Sequence, residues 1–128
     1  MFDVTAMKSK SQQIIWDVLE KCNETYKVEL DFPQLNWVMI GTTAGRAYLN
    51  LWKIELNLQL CKENWEDFQK ETIPHEVAHL VAYKVFGDAG HGEGWKSVMR
   101  SLGIVPQRCH SYESDHVKGK RSLNGMYN

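Results

Sequence analysis

The sequence predicts an α+β fold, in which a small β-sheet packs against an N-terminal helix and a second, central helix. Three patterns indicate this architecture. Apolar side chains recur at helical spacing over residues 6–27, apolar and polar side chains alternate over residues 53–60, and a helical pattern returns over residues 64–86. A chain of 128 residues with 43% hydrophobic side chains can bury a core of its own, which excludes an intrinsically disordered protein.

The first half of the chain supplies one helix and the strands. A loop over residues 28–34 leads to strands over residues 35–40 and 46–51. The segment 53–60 is the clearest strand, although Leu60 falls at its end or beyond it. We expect an antiparallel or mixed sheet of two to four strands. The apolar stripe of the helix is assigned to the core and consists of Ile14, Ile15, Val18, Leu19, Cys22 and Tyr26.

The second half is predicted to be helical. Asn64 and Gly87 are the expected N-cap and C-cap of the segment between them. Since proline is tolerated in a first helical turn but not in a helix interior, Pro74 indicates that a new helix starts near Thr72. A third helix is expected over residues 95–102.

Charge is unevenly distributed along a nearly neutral chain. The 15 basic and 16 acidic side chains give a formal net charge of −1, which excludes a strongly basic nucleic-acid binder. Residues 1–95 hold 9 basic and 14 acidic side chains, whereas residues 96–128 hold 6 basic and 2 acidic ones. We interpret residues 1–128 as a single domain with a core at about residues 6–113 and a solvated basic tail at 114–128.

Cysteine usage and the N-terminus predict a cytoplasmic protein. Cys22, Cys61 and Cys109 are odd in number and form no C-x-x-C pair, which argues against a disulfide framework and a zinc ribbon. The first residues lack the basic-then-apolar order of a signal peptide, and no apolar run reaches the roughly 20 residues of a membrane span. We therefore expect no membrane contact, and a monomer by default.

Residues 75–79 carry the motif with the clearest chemistry, His-Glu-Val-Ala-His. Residues four apart lie on the same helix face, so the imidazoles of His75 and His79 can bind one metal ion. Glu76 lies about 100° from His75 around the helix axis, where its carboxylate can act as general base toward a zinc-bound water. The pattern predicts a zincin-like metalloprotease domain with this segment as its catalytic helix.

A catalytic zinc site needs a third protein ligand. His91 is the favoured candidate, because it follows the expected helix end at Gly87 and is flanked by glycines that let the backbone approach a metal. The metzincin spacing would place the third histidine at residue 85, which is valine, and is therefore excluded. Zinc also accepts carboxylates, so the alternatives are His110, His116, Asp88 and Glu93.

Together these residues resemble the SprT-like family of zinc metalloproteases, which includes the Spartan proteases. The resemblance spans roughly residues 10–113. It rests on residues 74–79, 86–87, 91–92 and 95, with weaker matches at 45–47, 54–57 and 108–113. Unlike many bacterial members, the chain has no zinc ribbon of paired cysteines.

The resemblance implies a site and a substrate class. His75, His79 and His91 would bind one zinc ion, and Glu76 would be the catalytic base. The strand at residues 54–57 would be the sheet edge beside the active-site groove, where an extended substrate pairs. Because the best-known members cleave proteins bound or crosslinked to DNA, the implied role is repair of DNA–protein crosslinks.

Other side chains are assigned to the surroundings of this site. His110 and Tyr112 are candidates for oxyanion or substrate contacts. Trp95 is expected in the core beneath the metal. Weak, salt-sensitive phosphate contacts are assigned to Lys118, Lys120 and Arg121, together with Arg100 and Arg108.

The sequence leaves three functions open. The favoured one is a zinc-dependent metalloendopeptidase, possessing Glu76 as its base. The alternative is a non-catalytic, zinc-stabilised binding module that recruits a DNA or protein partner, although such a module does not need the carboxylate of Glu76. Hydrolysis of a non-peptide amide would use the same residues.

Overall fold

The first helix carries the N-terminal side of the core. In the computed structural model, which describes residues 3–106 and 126–127, helix α1 spans Val4–Tyr26. The Asp3 side chain caps its start by accepting hydrogen bonds from the amides of Thr5 and Ala6. The predicted apolar stripe is confirmed, since four of its six residues are buried and Ile14 and Tyr26 are partly buried.

Within the described residues, four short strands form one mixed sheet. Their spatial order is β1-β3-β2-β4, with β3 parallel to β1 and antiparallel to β2, and β4 antiparallel to β2. Side chains of β2 and β3 that point toward the helices are buried, which confirms the predicted α+β fold. The strands are β1 (Gln34–Val38), β2 (Gly45–Tyr48), β3 (Lys53–Asn57) and β4 (Met126–Tyr127).

The prediction of a strand over residues 53–60 is wrong in its second half. β3 ends at Asn57, and helix α2 (Leu58–Glu63) begins directly after it. The Asn57 side chain caps this helix by accepting a hydrogen bond from the Leu60 amide at 3.0 Å. The buried side chains of this helix are Leu58, Leu60 and Cys61. The alternation of apolar and polar residues therefore continues from the strand into the helix.

The other two predicted strands are also longer than the observed ones. β1 stops at Val38, and Met39 and Ile40 after it are exposed. β2 stops at Tyr48 because the chain turns at once, with the Trp52 amide donating to the Leu49 carbonyl at 3.3 Å.

The predicted helical segment at 64–86 is divided into three pieces: the short helix α3 (Trp65–Asp67), a π-helical turn (Phe68–Thr72) and helix α4 (Ile73–Phe86). The new helix predicted near Thr72 is confirmed, with Pro74 in its first turn. Asn64 stands at the N-cap position, but its side chain donates to the Leu60 carbonyl of the preceding helix and does not cap α3.

Helix α4 runs through the centre of the protein. Every residue from Ile73 to Ala82 is buried, between α1 on one side and β2 and helix α5 (Glu93–Ser101) on the others. Gly87 ends α4 in the left-handed conformation at φ 72°, as predicted, and Gly103 (φ 78°) follows α5. In the part of the chain that the structure describes, no helix is long and apolar enough to span a membrane.

Candidate metal centre

His75 and His79 face each other along one side of α4. Both side chains are fully buried, and their Nε2 atoms lie 3.2 Å apart. One helical turn separates the residues, so the helix itself sets this spacing. The pair confirms that the motif lies on a buried helix, as the sequence predicts.

His91 completes the cluster from the loop between α4 and α5. Its ring centroid lies 5.4 Å from that of His75 and 4.6 Å from that of His79. One ring nitrogen of each of the three histidines lies within 4.8 Å of the other two. Of the third ligands considered from the sequence, His91 is the one that the described structure brings to the pair.

The donor set fits a zinc ion. Among the described residues the donors are three imidazoles, and a site with three protein ligands keeps a fourth position open, as in catalytic zinc sites. Bond lengths of 2.0–2.1 Å place neighbouring tetrahedral ligands about 3.3 Å apart, which is close to the 3.2 Å between Nε2 of His75 and Nε2 of His79. These three residues form a candidate metal site.

Trp95 forms the floor of the site. This fully buried residue of α5 lies parallel to the ring of His79, with an interplanar angle of 18° and a centroid distance of 5.5 Å. It meets His75 and His91 edge-on, at 4.9 and 4.6 Å. Trp95 is therefore part of the core beneath the three histidines, as expected from the sequence.

Glu76 is buried next to the histidines without a hydrogen bond to either carboxylate oxygen from the described residues. Burial raises the pKa of Glu76 well above its ordinary value, and the nearby positive charge of Arg46 opposes that rise. Gly45 of β2 lies against the carboxylate: a Cβ atom at residue 45 would be 3.3 Å from Glu76 Oε2. A buried carboxyl group that keeps unused acceptors is suited to proton transfer.

Asp88 and Glu93, the two carboxylates considered as third ligands, do not join the cluster. Asp88 accepts hydrogen bonds from the amides of Gly90 and Trp95, each at 2.9 Å. Burial raises the pKa of Asp88, but these amides, that of Gly92 and the charge of His79 outweigh it, so the pKa lies below its ordinary value. The Glu93 side chain is exposed and lies 3.9 Å from Lys96 and from Arg100.

The assignment of residues 54–57 to the sheet edge is wrong. This segment belongs to β3, which lies between β1 and β2. The strand beside Glu76 is β2, because its Gly45 packs against that carboxylate. Pairing order caused the error: the sequence does not reveal that β1 pairs in parallel with β3, which places β3 inside the sheet.

Several predicted residues lie outside the described part of the chain. These are the alternative ligands, the oxyanion candidates and most of the assigned phosphate contacts: His110, His116, Tyr112, Arg108, Lys118, Lys120 and Arg121. Arg100 is described and exposed on α5, and its contact with phosphate stays a prediction.

Comparison with known proteins agrees with this geometry. The model of the SprT-like family matches residues 15–116, which include all three histidines. The chain belongs to the SprT-like family. The family resemblance found in the sequence is thereby confirmed.

Individual relatives support the same assignment. The chain is 39% identical to Protein SprT of Vibrio parahaemolyticus over 113 residues, which cover 87% of this chain and 68% of the relative. It is 46% identical to Protein SprT of Pseudomonas putida over 84 residues, covering 63% of this chain and 51% of the relative. For Protein SprT of Escherichia fergusonii the identity is 37% over 115 residues, covering 88% and 70%. The chain thus spans between about half and seven-tenths of the length of these SprT proteins, and no solved structure matches it significantly.

Proposed function

We propose that this SprT-like chain is a zinc-dependent metalloendopeptidase. The observation that carries the proposal is the convergence of His75, His79 and His91 beside Glu76, a buried carboxyl group with unused acceptors. A hydrolase needs a metal site with an open position and a base close to it. A structural zinc site, by contrast, is closed by four protein ligands.

The proposed chemistry divides between the metal and the chain. A zinc ion held by the three histidines would polarise the scissile carbonyl and acidify a water molecule. Glu76 accepts the proton of the attacking water and later transfers it to the leaving amine. Burial raises the pKa of Glu76, which strengthens its carboxylate as the acceptor of the water's proton.

The edge of β2 is the proposed place for the substrate backbone. The Asn57 amide donates to the Ala44 carbonyl at 2.9 Å, so by antiparallel alternation the amide and carbonyl of Gly45 point away from β3. Strand β4 pairs with β2 only at Ala47 and Tyr48, among the described residues. An extended peptide added at Gly45 would pass directly beside Glu76.

A cleft lined by the sheet and by the loop before β2 has room for substrate side chains. Its volume is about 560 Å³, and Gly45 contributes to its wall. Its lining residues include Val38, Ile40, Thr42, Thr43, Arg46 and Glu55. We extend the proposal to proteins associated with DNA, for which the family resemblance is the support.

Cleavage by protein verified to hold one zinc ion per chain tests the proposal. Wild type and Glu76→Gln are incubated with a basic DNA-binding protein, with and without single-stranded DNA. We expect cleavage by wild type only, with zinc retained in both proteins, since glutamine keeps the shape but cannot accept a proton. Glu93→Gln, which changes an exposed carboxylate, is the matched control and should cut like wild type.

The two arms separate the parts of the proposal. Stimulation by single-stranded DNA would support DNA-associated substrates, whereas equal cleavage without DNA would remove that part alone. If neither wild type nor Glu76→Gln cuts, but both bind the same partner equally, the protein is the zinc-stabilised binding module.

A further inference from the structure

We propose that Asp88 is a positioning residue that shapes the loop carrying His91 and so pre-forms the third ligand of the metal site. The inference rests on the proposed metal site. Asp88 follows the end of α4 directly, three residues before His91. Because Asp88 is not a member of the histidine cluster, its role would be to hold the backbone of the loop that carries His91.

The carboxylate of Asp88 binds the backbone on both sides of His91. Its Oδ1 accepts a hydrogen bond from the Gly90 amide and its Oδ2 accepts one from the Trp95 amide, both at 2.9 Å. The Gly92 amide also interacts with this carboxylate. The backbone before and after His91 is therefore bound to the same carboxylate.

The chain after His91 packs tightly against Asp88, so that Gly94 has no room for a side chain and Gly92 has little. A Cβ atom at Gly92 would lie 3.0 Å from Asp88 Oδ2. At Gly94 it would lie 2.9 Å from the Cβ of Asp88 and 2.8 Å from that of Phe86. Real Cβ atoms essentially never approach other heavy atoms below 3.0 Å, so the chain from 92 to 94 follows the surface of Asp88.

The same carboxylate connects the loop to the floor of the site. Asp88 accepts a hydrogen bond from the Trp95 amide, and the ring of Trp95 contacts all three imidazole rings. One acidic side chain thus holds the backbone on both sides of His91 and at Trp95. Because the loop is ordered before the metal binds, binding loses less conformational entropy than it would with a disordered loop.

A competing explanation is that Asp88 only stabilises α5. Gly92, the N-cap residue of α5, offers no side-chain cap, and Asp88 supplies an acceptor for the first turn. A cap of this kind would raise the stability of the metal-free and zinc-loaded protein equally. A positioning residue would also change zinc affinity, and would do so only while His91 is present.

Zinc affinity, measured by competition with a chromophoric chelator, distinguishes the two explanations. The proteins are wild type, Asp88→Ala, Asp88→Asn, His91→Ala and the double variant Asp88→Ala/His91→Ala. Asp17→Ala is the matched control, because Asp17 also accepts a hydrogen bond but lies on the exposed side of α1. A second readout is the visible spectrum of the Co²⁺-loaded proteins, which reports coordination geometry independently of activity.

We expect Asp88→Ala to weaken zinc binding by about tenfold or more, as removal of groups supporting a metal ligand does. Asp88→Asn keeps one acceptor oxygen and should lie between Asp88→Ala and wild type. In the His91→Ala background, loss of Asp88 should change affinity little, and the Co²⁺ spectrum of Asp88→Ala should shift toward that of His91→Ala. Asp17→Ala should behave like wild type.

Wild-type affinity in both Asp88 variants would overturn the inference and leave the proposed function intact. So would full additivity of the Asp88→Ala and His91→Ala losses, since the two residues would then act independently. If wild type itself bound no zinc, the proposed function and this inference would both fail. Should Asp88→Ala not fold, the intermediate affinity expected of Asp88→Asn decides the question.

Discussion

Gly45 of β2 and Glu76 of α4 lie so close together that a side chain at residue 45 would press on the carboxyl group. A Cβ atom there would lie 3.2 Å from Glu76 Cγ and 3.3 Å from Glu76 Oε2. It would also lie 3.2 Å from Cδ2 of Leu56 on the neighbouring strand. The glycine therefore lets the edge of β2 approach the buried carboxylate. This contact places the strand that would pair with the substrate next to the proposed base.

Gly45→Ala should impair cleavage more than it impairs folding. The added methyl group must displace Glu76 or move β2 by a few tenths of an ångström, at a cost of about 1–3 kcal/mol typical of overpacking. Even a small displacement of Glu76 would slow catalysis, because proton transfer depends on its position. Urea unfolding and cleavage rates, measured on the same preparations, check the prediction.

A double variant identifies the cause of this effect. In Gly45→Ala/Glu76→Ala the Cγ and carboxylate that the methyl group would meet are gone, so the stability cost of Gly45→Ala should shrink, leaving the part due to Leu56. An unchanged cost in the Glu76→Ala background would mean that the strain lies elsewhere.

Ionisation of Glu76 should make the metal-free protein less stable as the pH rises. Burial raises the pKa of Glu76 in the folded state, so the folded protein binds this proton more tightly than the unfolded chain does. The stabilisation that this proton provides is fully present below the ordinary pKa of glutamate, and it is lost as the pH rises through the folded-state pKa. Each unit by which the folded-state pKa exceeds the unfolded-state pKa corresponds to about 1.4 kcal/mol of unfolding free energy.

The comparison between wild type and Glu76→Gln isolates this contribution, since both keep the same histidines. We expect the unfolding free energy of metal-free wild type to fall relative to that of Glu76→Gln as the pH rises above about 4.5, the ordinary pKa of glutamate. The exposed Glu93→Gln serves as control and should show a constant difference from wild type. A constant difference for Glu76→Gln as well would show that Glu76 is not desolvated in solution.

Local patterns predicted the helices and the motif because the forces behind them act over a few residues. The stripe of α1, the restart of the helix before Pro74 and the left-handed end at Gly87 all depend on near neighbours, and the structure confirms them. The change from strand to helix after Asn57 was missed. Its apolar alternation continues from β3 into α2, while the signal for the boundary is a single capping side chain.

The site was predictable where its spacing is helical and less so where it depends on tertiary contacts. His75 and His79 follow from one helical turn. The glycines around His91 were interpreted as letting the backbone approach a metal, whereas Gly92 lies against the carboxylate of Asp88. The contact between Gly45 and Glu76 depends on which strand lies beside α4, and no local sequence pattern indicates this. Asp88 was read as an alternative ligand because residue type alone does not reveal that amides occupy its oxygens.

Cys22 and Cys61 should resist thiol reagents in the folded protein. Both are fully buried, and burial raises the pKa of Cys22 to about 11 and that of Cys61 to about 12, with Lys21 slightly opposing the rise for Cys22. Since the thiolate is the reactive form, alkylation should stay slow from pH 7 to pH 9 and become fast in urea. Mass spectrometry of alkylated Cys109→Ser, which retains only these two thiols, measures the rate; fast labelling without denaturant would contradict the prediction.

Trp95 should contribute separately to stability and to metal binding. Because it is fully buried, Trp95→Ala should lower the unfolding free energy by about 3–5 kcal/mol. Trp95→Phe keeps a ring under the histidines and removes an indole N–H that has no hydrogen-bond partner among the described residues, so its cost should be clearly smaller.

Zinc affinity of the same two variants tests the contacts between Trp95 and the imidazoles. We expect Trp95→Phe to retain most of the affinity, and Trp95→Ala to lose more, because the rings of His75, His79 and His91 would lose the surface that orients them. Trp37→Phe, which alters a partly buried tryptophan on β1, controls for the general effect of losing an indole. Wild-type zinc affinity in a folded but destabilised Trp95→Ala would mean that Trp95 supports the core alone and that the imidazoles are oriented by α4 and the His91 loop.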